Sequence, residues 1–94
     1  MKNNEYIKKM VLEIVNDYPI TKVSLFGSRA QGTNREDSDV DLLMEFSKPV
    51  SLIMICTIKD VLEEKLGLNV DLVHGPLGQD AMIEINEVIE LYAA

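Results

Sequence analysis

Apolar residues recur along the chain with periods that change from segment to segment, and each change marks an element. From Asn3 to Tyr18, the residues Tyr6, Ile7, Met10, Val11, Ile14 and Val15 fall at helical spacing, with Lys8, Lys9 and Glu13 on the other face. This pattern predicts an amphipathic helix. Pro19 predicts its end, because the residue before a proline avoids helical geometry. Val23-Ser24-Leu25-Phe26 predicts a short strand running into Gly27. Residues 27–38, rich in Gly, Ser, Thr, Asn and Asp, predict a loop with one helical turn. Val40, Leu42, Leu43, Met44 and Phe46 predict a second strand, broken at Lys48-Pro49.

From Ser51 to Leu66 the apolar positions Leu52, Ile55, Cys56, Ile58, Val61, Leu62 and Leu66 predict a second long helix. Ser51 suits its N-cap, and Gly67 sits where a left-handed C-terminal residue is wanted. Asn69 to His74 predicts a third strand, and Gly75, Pro76 and Gly78 a turn. Asp80 to Tyr92 predicts a closing helix with Met82, Ile85, Val88, Ile89 and Tyr92 facing inward. Nothing repeats. The order α-β-β-α-β-α predicts a small α/β (α+β) domain, with a mixed β-sheet packed against helices.

Length and charge narrow what such a domain can do. Residues 1–94 fit a single domain, and 47% of them are hydrophobic, which is ordinary for a globular fold. A domain this small buries a modest fraction of its surface, so a partner or second copy that covers apolar area would stabilise it. Sixteen acidic against nine basic residues give a formal net charge of −7. Nucleic-acid binders carry basic patches, and Lys8-Lys9 is the only such cluster, so stable binding of DNA or RNA by this chain alone is not expected. The carboxylate surplus suits a divalent cation or a basic protein partner. The single Cys56 cannot form an intrachain disulfide, and its apolar surroundings in sequence predict a buried structural thiol. The segment MKNNEYIKKM lacks the apolar core of a signal peptide, and no apolar run approaches the roughly 20 residues of a membrane span. A cytoplasmic protein with no membrane association is expected.

Three features carry chemistry. Gly27-Ser28 directly follows a strand, and a glycine there lets the backbone approach a ligand closely. A helical turn starting at Ser28 would direct its N–H groups and the hydroxyl at a phosphate; taken alone, the pair is a turn. Asp39-Val40-Asp41 opens the second strand, where alternation puts both acids on one face, about 6.6 Å apart along the chain. Such carboxylates repel unless a cation lies between them, and Mg²⁺ held together with a triphosphate suits the pair. Asp71 lies between Val70 and Leu72 on the next strand, where it either points to water or stands beside Asp39 and Asp41. The second arrangement gives three carboxylates, enough for two divalent ions in phosphoryl transfer. Arg29 either neutralises triphosphate charge or forms a surface salt bridge. Ser38 suits a turn, Arg35, Glu36 and Asp37 a solvated loop, and His74 has no cluster of zinc ligands around it.

Phe26-Gly27-Ser28-Arg29-Ala30-Gln31-Gly32 followed by Ser38-Asp39-Val40-Asp41-Leu42 resembles the nucleotidyltransferases of the DNA polymerase β superfamily. The likeness is greatest to the minimal nucleotidyltransferase (MNT) group, with its Gly-Ser, short spacer and Asp-x-Asp. Ten residues separate Ser28 from Asp39, and Val70-Asp71-Leu72-Val73 is similar to the segment that supplies the family's third acid. The resemblance extends over nearly the whole chain. Gln31 departs from the family's usual Gly-Ser-Arg-Ala-Arg-Gly and removes one cationic contact to phosphate.

The resemblance implies a nucleotide site at Gly27, Ser28 and Arg29, and catalytic, metal-binding acids at Asp39, Asp41 and Asp71. It also implies two Mg²⁺ ions, ATP as substrate, and a helical HEPN partner encoded nearby in a hetero-oligomer. In such toxin–antitoxin pairs the HEPN protein is an RNase toxin, and the nucleotidyltransferase neutralises it by transferring AMP from ATP to a tyrosine. An enzyme of that kind is the leading expectation. The alternative is a non-catalytic module that neutralises a HEPN-type partner by direct contact. Transfer to an RNA end or a small molecule would need acceptor-binding structure that the sequence does not show.

Overall fold

The computed structural model describes residues 3–35, 37–75 and 88–94. Its first element is α1, Asn4–Ile14, which opens where Asn3 accepts a hydrogen bond from the Tyr6 N–H at 2.9 Å. That side chain satisfies one of the amides left without a partner in a first helical turn. Ile7, Val11 and Ile14 form the buried stripe. The helix stops four residues short of the expected Tyr18, because the Asp17 N–H turns back to the Ile14 carbonyl ahead of Pro19.

Strand β1, Ile20–Phe26, then leads into the short helical turn α2, Ser28–Gln31. After the loop come β2, Val40–Phe46, and α3, Leu52–Leu66, capped by the Ser51 hydroxyl and by Gly67 at φ 65°. The chain closes with β3, Val70–His74, and β4, Ile89–Ala93. The four strands form one mixed sheet in the order β3-β2-β1-β4. β1 runs antiparallel to both β2 and β4, whereas β2 and β3 are parallel. A parallel pair needs a crossover, and α3 supplies it.

Helices α1 and α3 cover one face of the sheet, joined by the Tyr6 hydroxyl donating to the Lys65 carbonyl at 3.2 Å and by Lys65 meeting Glu13 at 3.0 Å. The core beneath them gathers Ile7, Val11, Val23, Leu25, Val40, Leu42, Met44, Ile58, Leu62, Leu66, Val70 and Leu91. Even-numbered positions of β2 and β3 point into this core, so their odd-numbered acids point to the other face.

Two expectations require correction. Cys56 is exposed, not buried: with about 100° per residue it faces away from the Ile58, Leu62 and Leu66 stripe two residues on. Leu52 and Ile53 turn outward with it and are 75% and 80% exposed. The expected closing helix, Asp80–Tyr92, is also wrong at its end. Residues 89–93 form β4, with Leu91 buried while Val88 and Ile89 are exposed. Residues 80–87, with Met82 and Ile85, and the turn residues Pro76 and Gly78 lie outside the described residues.

The outward turn of α3's first residues makes a direct comparison. Leu62→Ala, at a fully buried position, should lower stability by about 2–5 kcal/mol in urea unfolding, whereas Leu52→Ala should stay within about 0.5 kcal/mol of the wild type.

Candidate active site

Strand polarity brings the candidate residues to one edge of the sheet. β1 ends at Phe26, which lies opposite Asp41 in the antiparallel register. Because β2 and β3 are parallel, their starts share that edge, and Asp41 stands directly opposite Asp71. The Val40 N–H donates to the Asn69 carbonyl at 2.9 Å, which joins the starts of β2 and β3, and the Val70 N–H donates to Glu63 Oε2 of α3, also at 2.9 Å. Of the two placements open for Asp71, the structure shows the one beside Asp41. Asp39 lies one residue before β2 rather than on it, and is exposed, as is Asp71.

Gly27 joins the end of β1 to α2 with φ 76° and ψ −153°, a conformation essentially reserved for glycine. Space excludes a side chain as well. A Cβ here would collide with the Asp41 carboxylate, whose Cγ would lie 3.1 Å from it. The backbone at Gly27 is therefore pressed against the central acid. From there the chain turns at once, the Ala30 and Gln31 amides both donating to the Gly27 carbonyl, at 3.1 and 3.2 Å. Ser28, half-buried, opens that turn beside the acid edge.

The acids are electrostatically strained. Burial pushes the Asp41 carboxyl above the usual carboxylate range. A side-chain hydrogen bond with Asp71 acts in the same direction, as do the negative charges of Asp71 and Asp39. A cation placed between Asp41 and Asp71 would relieve the same repulsion.

Arg29 is buried, so of its two expected roles the surface salt bridge is excluded. Its side chain is 1% exposed, and the guanidinium donates to the Ser38 carbonyl from its Nη2 at 2.7 Å and its Nε at 3.3 Å. Its guanidinium thus reaches across the loop to the residue before Asp39. Sequence reasoning missed Asn4, whose side-chain amide donates to the Arg29 carbonyl at 3.2 Å. A polar residue at a helix start gives no sign of such a long-range hook. Ser38 is the turn former expected of it, its hydroxyl accepting from the Arg35 N–H at 2.8 Å. Arg35 and Asp37 are exposed as expected, and Glu36 lies outside the described residues. His74 ends β3 with its ring edge-on to Phe46 at a centroid distance of 5.2 Å.

Among the described residues, no three His, Cys, Asp or Glu side chains are gathered closely enough to enclose an ion as they stand. The donor set nevertheless fits one. Asp41 and Asp71 are in contact, Asp39 adds charge to them, and hard carboxylate oxygens are what Mg²⁺ prefers.

A family model described as the nucleotidyltransferase domain matches residues 7–91. The chain belongs to that family. A Methanocaldococcus jannaschii protein provisionally named a protein adenylyltransferase is 35% identical over 96 aligned positions, covering 97% of this chain and 99% of its own. Among solved structures, a toxin–antitoxin crystallised with AMP-PNP superposes with a TM-score of 0.78 at 21% identity, covering 93% of this chain and 73% of that one. A Shewanella oneidensis complex of a tri-AMPylated HEPN toxin with its MNT antitoxin superposes with a TM-score of 0.73 at 16% identity, over 100% and 74% of the two chains. At those identities the superpositions establish a shared nucleotidyltransferase fold. Among the described residues, no helix is long and apolar enough to cross a membrane.

The geometry of this nucleotidyltransferase edge makes two measurable demands. Gly27→Ala should cost at least about 1–3 kcal/mol in backbone strain alone, before the collision with Asp41, and chemical denaturation reads it directly. The second concerns Asp41. A carboxyl raised on folding binds its proton more tightly in the folded state. It stabilises the fold below its unfolded pKa, and that contribution is lost as pH rises through its folded pKa. At neutral pH with chelator, Asp41→Asn should therefore melt above the wild type. The gap should close as the pH is lowered into the carboxylate range.

Proposed function

We propose that this nucleotidyltransferase transfers AMP from ATP to a tyrosine of a HEPN-type RNase toxin, in a Mg²⁺-dependent reaction, and so serves as the antitoxin of the pair. The observation that carries the reading is the meeting of Asp41, Asp71 and the Gly27–Ser28 turn at one sheet edge, with Asp39 one residue before β2. The names of the relatives support protein as acceptor, and the Shewanella complex supports a HEPN partner and AMP as the group transferred. AMP-PNP in a neighbour of the same fold supports ATP as donor.

Each residue has a task in this reading. Gly27 brings bare backbone up to the triphosphate, and the Ser28 hydroxyl donates to a phosphate oxygen. Asp39 and Asp41 would hold Mg²⁺ against the phosphates, with Asp71 completing a second site. Bound there, Mg²⁺ neutralises phosphate charge and lowers the pKa of an attacking hydroxyl. The tyrosine oxygen attacks the α-phosphorus, a new P–O bond forms, the bond to the bridging oxygen breaks, and pyrophosphate leaves. Asp71, exposed on β3 beside Asp41, would receive the tyrosine proton. The net charge of −7 would steer a basic partner toward the chain.

The intact mass of the HEPN-type protein encoded beside this chain, after incubation with the chain, ATP and Mg²⁺, tests the proposal. The expected result is a mass gain of one or more AMP groups mapping to tyrosine, lost with Asp41→Asn and with Asp39→Asn. A stable complex with no mass gain would instead assign neutralisation by direct contact. Full Mg²⁺-dependent activity in both variants would overturn the assignment of the acids.

A further inference from the structure

The geometry points to Arg29 as a positioning residue that locks the phosphate-binding turn and the metal-binding acids into one rigid unit. This inference rests on the nucleotidyl-transfer reading above for its functional consequence, and on the loop's hydrogen bonds for its structure. The two halves of the site are separated by ten residues of sequence, from Ser28 to Asp39. A loop of that length has no intrinsic reason to hold its ends in register. Arg29 follows Ser28 directly, and the carbonyl it grips belongs to Ser38, the residue directly before Asp39. One planar group thus ties the neighbour of the phosphate-binding serine to the neighbour of the first acid.

The surroundings show that the clamp is built in rather than incidental. The guanidinium is 1% exposed, so its charge cannot be relieved by water and its hydrogen bonds are strong ones. Its own backbone is held from outside the loop, where the Asn4 side chain donates to the Arg29 carbonyl at 3.2 Å. That contact anchors the clamp to α1, which the core already fixes to the sheet. Within the loop, the Thr33 N–H donates to the Ser28 carbonyl at 3.0 Å, and the Ser38 N–H donates to the Arg35 carbonyl at 3.1 Å. Both ends of the segment are pinned, and Arg29 bridges them. The Arg side chain is suited to this because its planar fork presents two N–H groups to one carbonyl, as a lysine cannot.

Reaction rate depends on that register. A shift of about 1 Å in a group that holds a substrate can cost about 100-fold, so loosening the clamp should act on turnover more than on nucleotide affinity. Arg29→Met and Arg29→Lys, assayed with ATP, Mg²⁺ and the partner as acceptor, separate the alternatives. A positioning role predicts that kcat falls about 100-fold in both, while the KM for ATP stays within about threefold, because Lys keeps the charge but not the fork. A direct phosphate contact predicts the opposite split: a raised KM in Arg29→Met, largely restored in Arg29→Lys. That outcome overturns the inference, as does a lowered Tm with unchanged kcat below the melting range.

Amide hydrogen exchange supplies a readout that needs no activity. The Thr33 and Ser38 amides should exchange at least about tenfold faster in Arg29→Lys than in the wild type, while those of α1 stay protected. Unchanged exchange at both amides overturns the clamp. Should the wild type prove inactive toward any acceptor, the functional reading above fails, and exchange alone decides whether Arg29 organises the loop. Should Arg29→Met fail to fold, Arg29→Lys carries the whole comparison.

Discussion

The relative direction of three strands determines where this protein's chemistry can be. β2 is antiparallel to β1 and parallel to β3, so the end of one strand and the beginnings of two others meet at a single edge. Everything placed at those termini becomes adjacent. Gly27 comes from the first, Asp41 from the second and Asp71 from the third. The parallel pair is possible only because α3 returns the chain to the starting edge. α3 in turn stays in place because Ile58, Leu62 and Leu66 are buried against the sheet. The site therefore inherits its geometry from apolar packing on the opposite face.

That arrangement opposes stability at the point where it creates function. Carboxylates crowd at one edge, and partial burial and mutual repulsion raise the central one. The glycine at the same place adopts a conformation that other residues avoid. A small domain has little surplus from its core to offset such terms. Binding a cation and its nucleotide would relieve the repulsion and stabilise the folded state by mass action.

Much of this was readable from the sequence, for reasons that can be stated residue by residue. The two long helices announce themselves through Ile7, Val11 and Ile14 and through Ile58, Leu62 and Leu66, with Asn3, Ser51 and Gly67 at their ends. Asp39, Asp41 and Asp71 stand out because acids interrupt or flank apolar strands. What sequence could not give is contact between distant segments. Val88-Ile89 and Leu91-Tyr92 satisfy a helical period as well as a strand's, and only pairing with β1 decides for the strand. Cys56 was misplaced because an apolar run in a helix supplies more candidates than its buried stripe can take. The burial of Arg29 was not legible either, because it depends on where Ser38 returns.

The placement of Arg29 changes how the motif itself is understood. In the proposed reading, a Gly-Ser pair and an Asp-x-Asp pair at a fixed spacing are two separate chemical devices, one for phosphate and one for cation. Their spacing matters only if the intervening chain has a definite shape. Here that shape comes from hydrogen bonds inside the segment, closed by a buried guanidinium on the last carbonyl before the acids. Length alone would leave the ends free to drift, since lengthening a flexible loop costs little free energy. A ten-residue spacer is therefore informative because it is folded, and the residue that folds it is part of the motif as much as the acids are.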